Sequence, residues 1–221
     1  MQDTLQKWQD RWDKNYVNGY AKSVGESKAT DQPMHWYFTK HLFPYWRDLR
    51  KRDSVLELGC GNGAVAVRMY NKVKRFVGTD ISGKAIDIIR ARFEGVPNVK
   101  FECTTDLRSL KEKFNLIFAI TVFQHIPKEF TAQYLKDCRR ILRPGGALFF
   151  NVLSGIQDKN TPDINFEDNG ICEPNLGFSK EEIGDACEKA GFKNIKTFRM
   201  EVDIPSDLFW WYWCICTKDK K

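Results

Sequence analysis

Apolar residues along the chain fall into two alternating kinds of run. Short segments rich in β-branched and aromatic residues lie near 54–58, 75–80, 98–103, 114–121 and 146–153, and longer stretches with helical spacing separate them. This alternation predicts a mainly parallel sheet crossed by helices. In "SGKAIDIIRARF", after Asp80, Ser82 is placed to cap a helix whose apolar side carries Ile86, Ile89 and Phe93. Between Pro127 and Pro144 a second stripe joins Phe130, Tyr134, Leu135, Cys138, Ile141 and Leu142. A third helix is announced by "FSKEEIGDACEKAGF", with Ser179 and Glu182 as a capping box and Gly191 as the stop.

Two further strands follow, at 194–200 and 210–218, with only a short acidic segment between them. That connection is too short for a parallel crossover, so the last strand is expected to run antiparallel. Residues 154–178, rich in Asn, Asp, Gly and Pro, exceed the usual length of a structureless connection and point to a functional loop. The first 45 residues carry Trp8, Trp12, Tyr16, Tyr20, Trp36, Tyr37, Phe38, Phe43 and Tyr45 ahead of the first sheet strand. Most of these aromatics read as helices packed on the sheet, and some as the lining of a ligand pocket.

Composition narrows the class. With 221 residues and no long Gly/Ser/Pro linker, one α/β domain over 1–221 is expected. No apolar run approaches the roughly 20 residues of a membrane helix, and the polar start "MQDTLQKWQD" lacks a signal-peptide core, so a cytoplasmic location is the expectation. The seven cysteines are scattered without a CxxC pair and only three histidines accompany them. Neither a disulfide framework nor a zinc site is indicated, and no metal is expected. Cys214 and Cys216 point to one face of a strand, where they read as buried structural thiols.

"VLELGCGNG", residues 55–63, is a strand that runs into three glycines. Followed by a helix, such a loop presents backbone N–H groups and a positive dipole end to a ligand. "GCGNGA" fits a loose dinucleotide fingerprint, and Asp80 at the end of the next strand is placed to hold ribose hydroxyls. On its own the motif does not separate one nucleoside binder from another.

The combination is more specific, because Glu57 stands ahead of the glycines, Asp106 follows the third strand and "LRPGG" introduces the fifth. With these residues the chain resembles a class I S-adenosylmethionine-dependent methyltransferase of the small bacterial kind, most closely over residues 50–153. "ELGCGNG" is similar to the family's E/DxGxGxG loop, "VGTDIS" to its strand ending in a ribose-binding acid, and "CTTDLRSL" to the segment with the acid near adenine. "FNLIFAITVFQHIP" resembles the fourth strand and its active-site continuation, and "LRPGGALFF" the turn into strand five. Asn115 stands where the family usually has an acid at the start of strand four, away from the expected methyl donor.

The resemblance implies a Rossmann-like, doubly wound, seven-stranded sheet with an antiparallel last strand and helices on both faces. It implies S-adenosyl-L-methionine as cofactor and S-adenosyl-L-homocysteine as product. It divides the chain into an aromatic N-terminal lid at 1–45, a donor-binding core at 50–153, and substrate loops with the last strand at 154–221. The donor set it implies is Tyr16, Tyr20, Glu57, Gly59, Cys60, Gly61, Gly63, Asp80, Ile81, Thr105, Asp106, Leu107, Thr121, Val122 and Phe123. Within it the loop N–H groups bind the carboxylate, Asp80 the ribose diol, Ile81 and Leu107 the adenine faces, and Asp106 the exocyclic amine.

Methyl transfer is an in-line displacement, so alignment is the main demand on the protein. An oxygen or nitrogen acceptor must also lose a proton, for which His125, just past the fourth strand, is the candidate base unless it merely caps the turn before Pro127. Gln124 is the candidate to orient the acceptor, and His35, Trp36 and Tyr37 are candidate substrate contacts.

Charge then bears on the acceptor. Ligands of open parallel sheets bind at the carboxyl ends of the strands, where 154–178 and 201–209 are expected to emerge. These segments carry Asp158, Asp163, Glu167, Asp168, Glu173, Glu201, Asp203 and Asp207, while the basic "WRDLRKRD" enters the first strand from its amino end. Despite the net charge of +6, the ligand face is therefore expected to be acidic. A nucleic-acid enzyme wants positive charge there, so a small-molecule acceptor is favoured over RNA. The acidic loops suit an amine or cationic acceptor, or are simply solvated surface. The alternatives are an RNA or protein methyltransferase, an NAD-dependent oxidoreductase, and a non-catalytic binding protein, whose donor loop would be broken; this loop is intact. Oligomeric state is not expressed in the sequence.

Overall fold

Ser54–Leu58 forms strand β1, and all five of its residues are buried, as in a strand covered on both faces. The computed structural model of the chain describes residues 2–17, 49–126, 128–153, 177–200 and 211–220. The chain divides into two units, Met1–Asp106 and Leu107–Lys221.

In the first unit, α1 (Gln2–Val17) precedes β1, and α2 (Ala66–Met69), β2 (Arg75–Asp80), α3 (Gly83–Arg92) and β3 (Val99–Cys103) follow. β2 pairs in parallel with both β1 and β3. Ser82 caps α3 as expected, its hydroxyl accepting from Ala85 N at 3.1 Å. Ile86 and Ile89 are fully buried and Phe93 nearly so. The Phe93 ring lies 5.3 Å from Phe101 of β3, so the helix stripe and the sheet close one core.

The second unit contains β4 (Phe114–Ala119), α4 (Lys128–Ile141), β5 (Leu142–Leu153), α5 (Lys180–Lys189), β6 (Lys193–Met200) and β7 (Trp211–Thr217). Leu135, Cys138, Ile141 and Leu142 are fully buried, the inner side of the predicted stripe. The predicted capping box at Ser179 and Glu182 is present, and Gly191 lies at φ 87° beyond the helix end. β4 and β5 are parallel, whereas β7 runs antiparallel to both β5 and β6. The strand order is β3-β2-β1-β4-β5-β7-β6 in a seven-stranded sheet, in agreement with the expected fold class. Among the described residues no helix is long and apolar enough to cross a membrane.

Two boundaries differ from the sequence reading by more than one residue, each for a local reason. The fourth strand, expected to reach residue 121, stops at Ala119 because Thr121 adopts φ 57°, which no strand accommodates. The fifth begins at Leu142 instead of 146, since Leu142 already pairs with Phe114; the next pair is Leu116 with Ala147, so Arg143–Gly146 bulges out. "LRPGG" is the sequence of that bulge. Gly145, at φ 74°, donates its N–H to the carbonyls of Lys218 and Asp219, and Lys218 N donates to Gly146 O.

A Cβ on Gly146 would meet Arg143 O at 2.9 Å and Asn115 O at 3.1 Å, both backbone atoms that cannot swing away. Gly184, inside α5, has nothing within 4 Å of a built Cβ. Gly146→Ala is therefore expected to lower stability by about 1–3 kcal/mol. Gly184→Ala is expected to leave it unchanged or raise it by up to ~1 kcal/mol. Denaturant unfolding of both variants distinguishes these outcomes, and equal midpoints would contradict the packing argument.

Candidate functional site

The glycine loop is built from backbone geometry. Gly59, Gly61 and Gly63 lie at φ 63°, 50° and 86°, the left-handed region that glycine enters without cost from a side chain. The strict alternation lets the chain leave β1 in a tight spiral and enter α2. The three positions nevertheless do different jobs. Gly59 is exposed, and Gly61 half-buried. Gly63 is buried, and a Cβ there would stand 2.6 Å from Ile89 Cδ1, so its bare backbone serves close packing against α3.

The loop is tied to the end of β2. Asp80 Oδ2 accepts from Gly61 N and Oδ1 from Ser82 N, each at 2.9 Å, and Cys60 N donates to Thr79 O at 3.0 Å. Gly63 N in turn donates to Cys60 O at 2.9 Å. The N–H groups of Cys60, Gly61 and Gly63 thus hold the loop itself together. Asp80 retains acceptor capacity, since a carboxylate offers about four lone-pair sites.

Two acids are packed into this corner. Glu57 is 4% exposed, and its Oε2 has no hydrogen-bond partner among the described residues. Burial, reinforced by the charge of Asp80, holds the Glu57 carboxyl well above the ordinary range. Burial raises Asp80 too, and the N–H groups of Ser82, Gly61 and Ile81 oppose that rise. The Cys60 thiol is pushed up by burial and then by the same two acids, so it stays protonated. The corner therefore holds more acid than its own donors satisfy, an arrangement that suits a ligand with hydroxyl or ammonium donors.

The remaining donor-set residues of this unit surround the strand ends. Ile81 and Thr105 are half-buried, and Asp106 is exposed with its N–H donating to Thr104 Oγ1 at 3.0 Å. One neighbour escaped the sequence reading. Asp13 of α1 accepts from Ser82 Oγ at 2.6 Å and from Lys84 N at 3.1 Å, so a helix preceding the sheet reaches the segment just beyond Asp80. No motif marks such a residue, because its partner lies 69 positions away. Tyr16 falls within α1, while Tyr20, His35, Trp36 and Tyr37 lie outside the described residues, as do the loops at 154–176 and 201–210.

In the second unit, β4 ends in a strained turn. Thr121 is β-branched yet sits at φ 57°, held by donation of its N–H to Asn151 Oδ1 at 2.7 Å and of its hydroxyl to Ile120 O at 2.7 Å. Asn151 is fully buried on β5, and its Nδ2 has no partner among the described residues. Asn151, which holds this strained turn, is a second residue the sequence reading did not single out. Val122 is half-buried and Phe123 fully buried, its ring 4.6 Å from Phe150. Phe123–His125 forms a 3₁₀ turn in which His125 N donates to Val122 O at 2.9 Å. Gln124 is 6% exposed with Oε1 unpartnered among the described residues, and His125 is half-buried. Leu107, buried, offers its carbonyl to Arg140 Nη2 at 2.7 Å.

The Glu57 environment has a consequence for stability. Its folded pKa lies above the unfolded value of about 4.3, so the folded chain keeps a proton that the unfolded chain has released. Stability accordingly falls as pH rises from the unfolded toward the folded value, by up to ~1.4 kcal/mol per pH unit. Glu57→Gln keeps the shape and removes the titration. The variant is expected to lose less stability than the parent between pH 5 and pH 8, as measured by denaturant unfolding, and identical slopes would argue against a neutral carboxyl.

Comparison with known proteins agrees with this geometry. Residues 55–146 match the family model described as a methyltransferase domain. Among curated proteins, the ubiquinone biosynthesis O-methyltransferase of Coxiella burnetii (strain Dugway 5J108-111) is 27% identical over 108 residues, 47% of this chain and 45% of that protein. A probable methyltransferase of Aspergillus luteorubrus is 28% identical over 147 residues, 61% and 50% of the two chains. The chain spans about half the length of these curated relatives. Among solved structures, the Haemonchus contortus phosphoethanolamine N-methyltransferase 2 bound to phosphomonomethylethanolamine and S-adenosylhomocysteine superposes with a TM-score of 0.76 at 17% identity, covering 96% of this chain and 60% of that one. Magnesium protoporphyrin IX methyltransferase of Synechocystis PCC 6803 with bound S-adenosylhomocysteine gives 0.72 at 13% identity, covering 97% and 99%. Residues 55–146 thus carry the match to a methyltransferase domain, and the order of the sheet with the glycine loop that follows β1 gives the chain the fold of the S-adenosylhomocysteine-bound methyltransferases it superposes on.

Proposed function

We propose that the protein transfers a methyl group from S-adenosylmethionine to an oxygen or nitrogen of a small-molecule acceptor. The observation that carries this reading is the coupling of Asp80 to the glycine loop: one carboxylate at the end of β2 fixes the loop while keeping acceptor sites for a ribose diol. The unpartnered Oε2 of Glu57 fits a cofactor whose amino-acid tail carries an ammonium group. Gly59 and Gly61 would admit that tail, Ile81 and Leu107 would flank the adenine, and Thr105 and Asp106 would meet its polar edge.

The bound cofactor supplies a methyl on a positive sulfonium, which departs as a neutral thioether. This chain's part is alignment and proton management. His125 would take the acceptor's proton, and Gln124, buried with a spare carbonyl oxygen, would orient the acceptor through a donor of its own. The acidic segments at 154–178 and 201–209 support a small or cationic acceptor over a polyanion. The relatives point the same way, since their names concern ubiquinone biosynthesis, phosphoethanolamine and a magnesium porphyrin.

Two measurements test the reading. Calorimetry with S-adenosylhomocysteine and with NAD(H) is expected to show binding of the first alone; tight NAD(H) binding without adenosylhomocysteine binding overturns it. With labelled methyl donor and pooled metabolites as acceptors, His125→Ala is expected to retain adenosylhomocysteine affinity while turnover drops at least tenfold, within the roughly 10²–10⁴-fold range of a lost general base. Unchanged turnover removes the histidine from the chemistry.

A further inference from the structure

Three cysteines converge in the core of the second unit, none of them among the residues assigned to methyl transfer. Cys214 and Cys216 alternate along β7 and so share one face of the strand, and Cys187 comes from α5. All three are fully buried. Their sulfur atoms lie within 4.8 Å of one another, with Cys187 Sγ and Cys214 Sγ at 3.8 Å. We propose that Cys187, Cys214 and Cys216 form a binding site for copper(I), held by sulfur alone.

The geometry suits the ion. Sulfurs about 2.3 Å from a shared metal stand about 3.8–4.0 Å apart, close to the spacing already present before any ion enters. With all three sulfurs within 4.8 Å of one another, a single ion is within reach of each. Zinc in structural sites takes four ligands. Among the described residues the cluster offers three, and complete burial leaves no open position for water. Soft thiolates select copper(I), which accepts low coordination numbers.

Each copper–sulfur bond forms as the cysteine concerned releases its thiol proton to solvent, and no electron is transferred. Entry requires a transient opening of α5, a ten-residue helix at the surface of this core. The proposal does not depend on the methyl-transfer reading.

The test is an anaerobic titration of the full chain with copper(I) in competition with bicinchoninate. One equivalent is expected to be retained, with a thiolate-to-copper absorption in the ultraviolet. Cys103→Ser, which removes an exposed thiol outside the cluster, is expected to keep that equivalent, and Cys187→Ala and Cys214→Ala to lose it. Should either alanine variant fail to fold, Cys216→Ser is expected to lose it as well, with circular dichroism confirming the fold. Copper at about hundredfold over its dissociation constant is expected to raise the parent's Tm by ~5–10 °C and to leave that of Cys214→Ala unmoved. Absence of retained copper in the parent, retention by the cluster variants, or loss in Cys103→Ser would overturn the proposal, as would retention of one zinc(II) in place of copper.

Discussion

A single carboxylate organises the donor end of the first unit. Asp80 accepts one backbone N–H from the glycine loop and one from the residue that caps α3, so the exit of β1, the end of β2 and the start of the next helix share one anchor. Each bond to a charged acceptor contributes more than a neutral one, roughly 1.5–3 kcal/mol. The left-handed glycines supply the curvature that brings Gly61 N to that oxygen, and the packing of Gly63 on Ile89 sets the loop's depth.

The arrangement has an electrostatic cost that makes functional sense. Glu57 and Asp80 are held close together with too few donors, and both are shifted toward the protonated form, chiefly by burial. A core selected for stability alone would place an amide or an apolar residue at 57. A ligand bringing hydroxyls and a positive charge turns the same excess of acceptors into binding energy. The strained Thr121 and the buried Asn151 that holds it are the counterpart in the second unit: local strain kept in place by surrounding structure.

Residues that report through spacing were legible in the sequence. Ser82, Ser179, Glu182 and Gly191 announced helix ends, and each is realised as expected, because caps act within about four residues. The antiparallel last strand followed from the shortness of its connection. Glu57, the glycines, Asp80 and Asp106 stood out through their placement at strand ends. Residues acting over long separations did not. Asp13, Asn151 and Cys187 meet their partners across 69, 30 and 27 positions, and an isolated Asp, Asn or Cys carries no local signal.

The sequence by itself therefore determined the order of elements, the resemblance to methyltransferases and the residues of the glycine loop, since hydrophobic period, capping and turn chemistry are short-range and written contiguously. Only the tertiary structure decided what each of those residues does. It tied the N–H groups of Cys60 and Gly61 to the end of β2 and that of Gly63 to the loop, gave Gly63 to helix packing, left an oxygen of Glu57 without a partner among the described residues, and gathered three thiols from α5 and β7. The physical reason is that burial and hydrogen-bond satisfaction belong to whatever groups the fold brings within a few ångströms, and for these residues the partners come from separate elements.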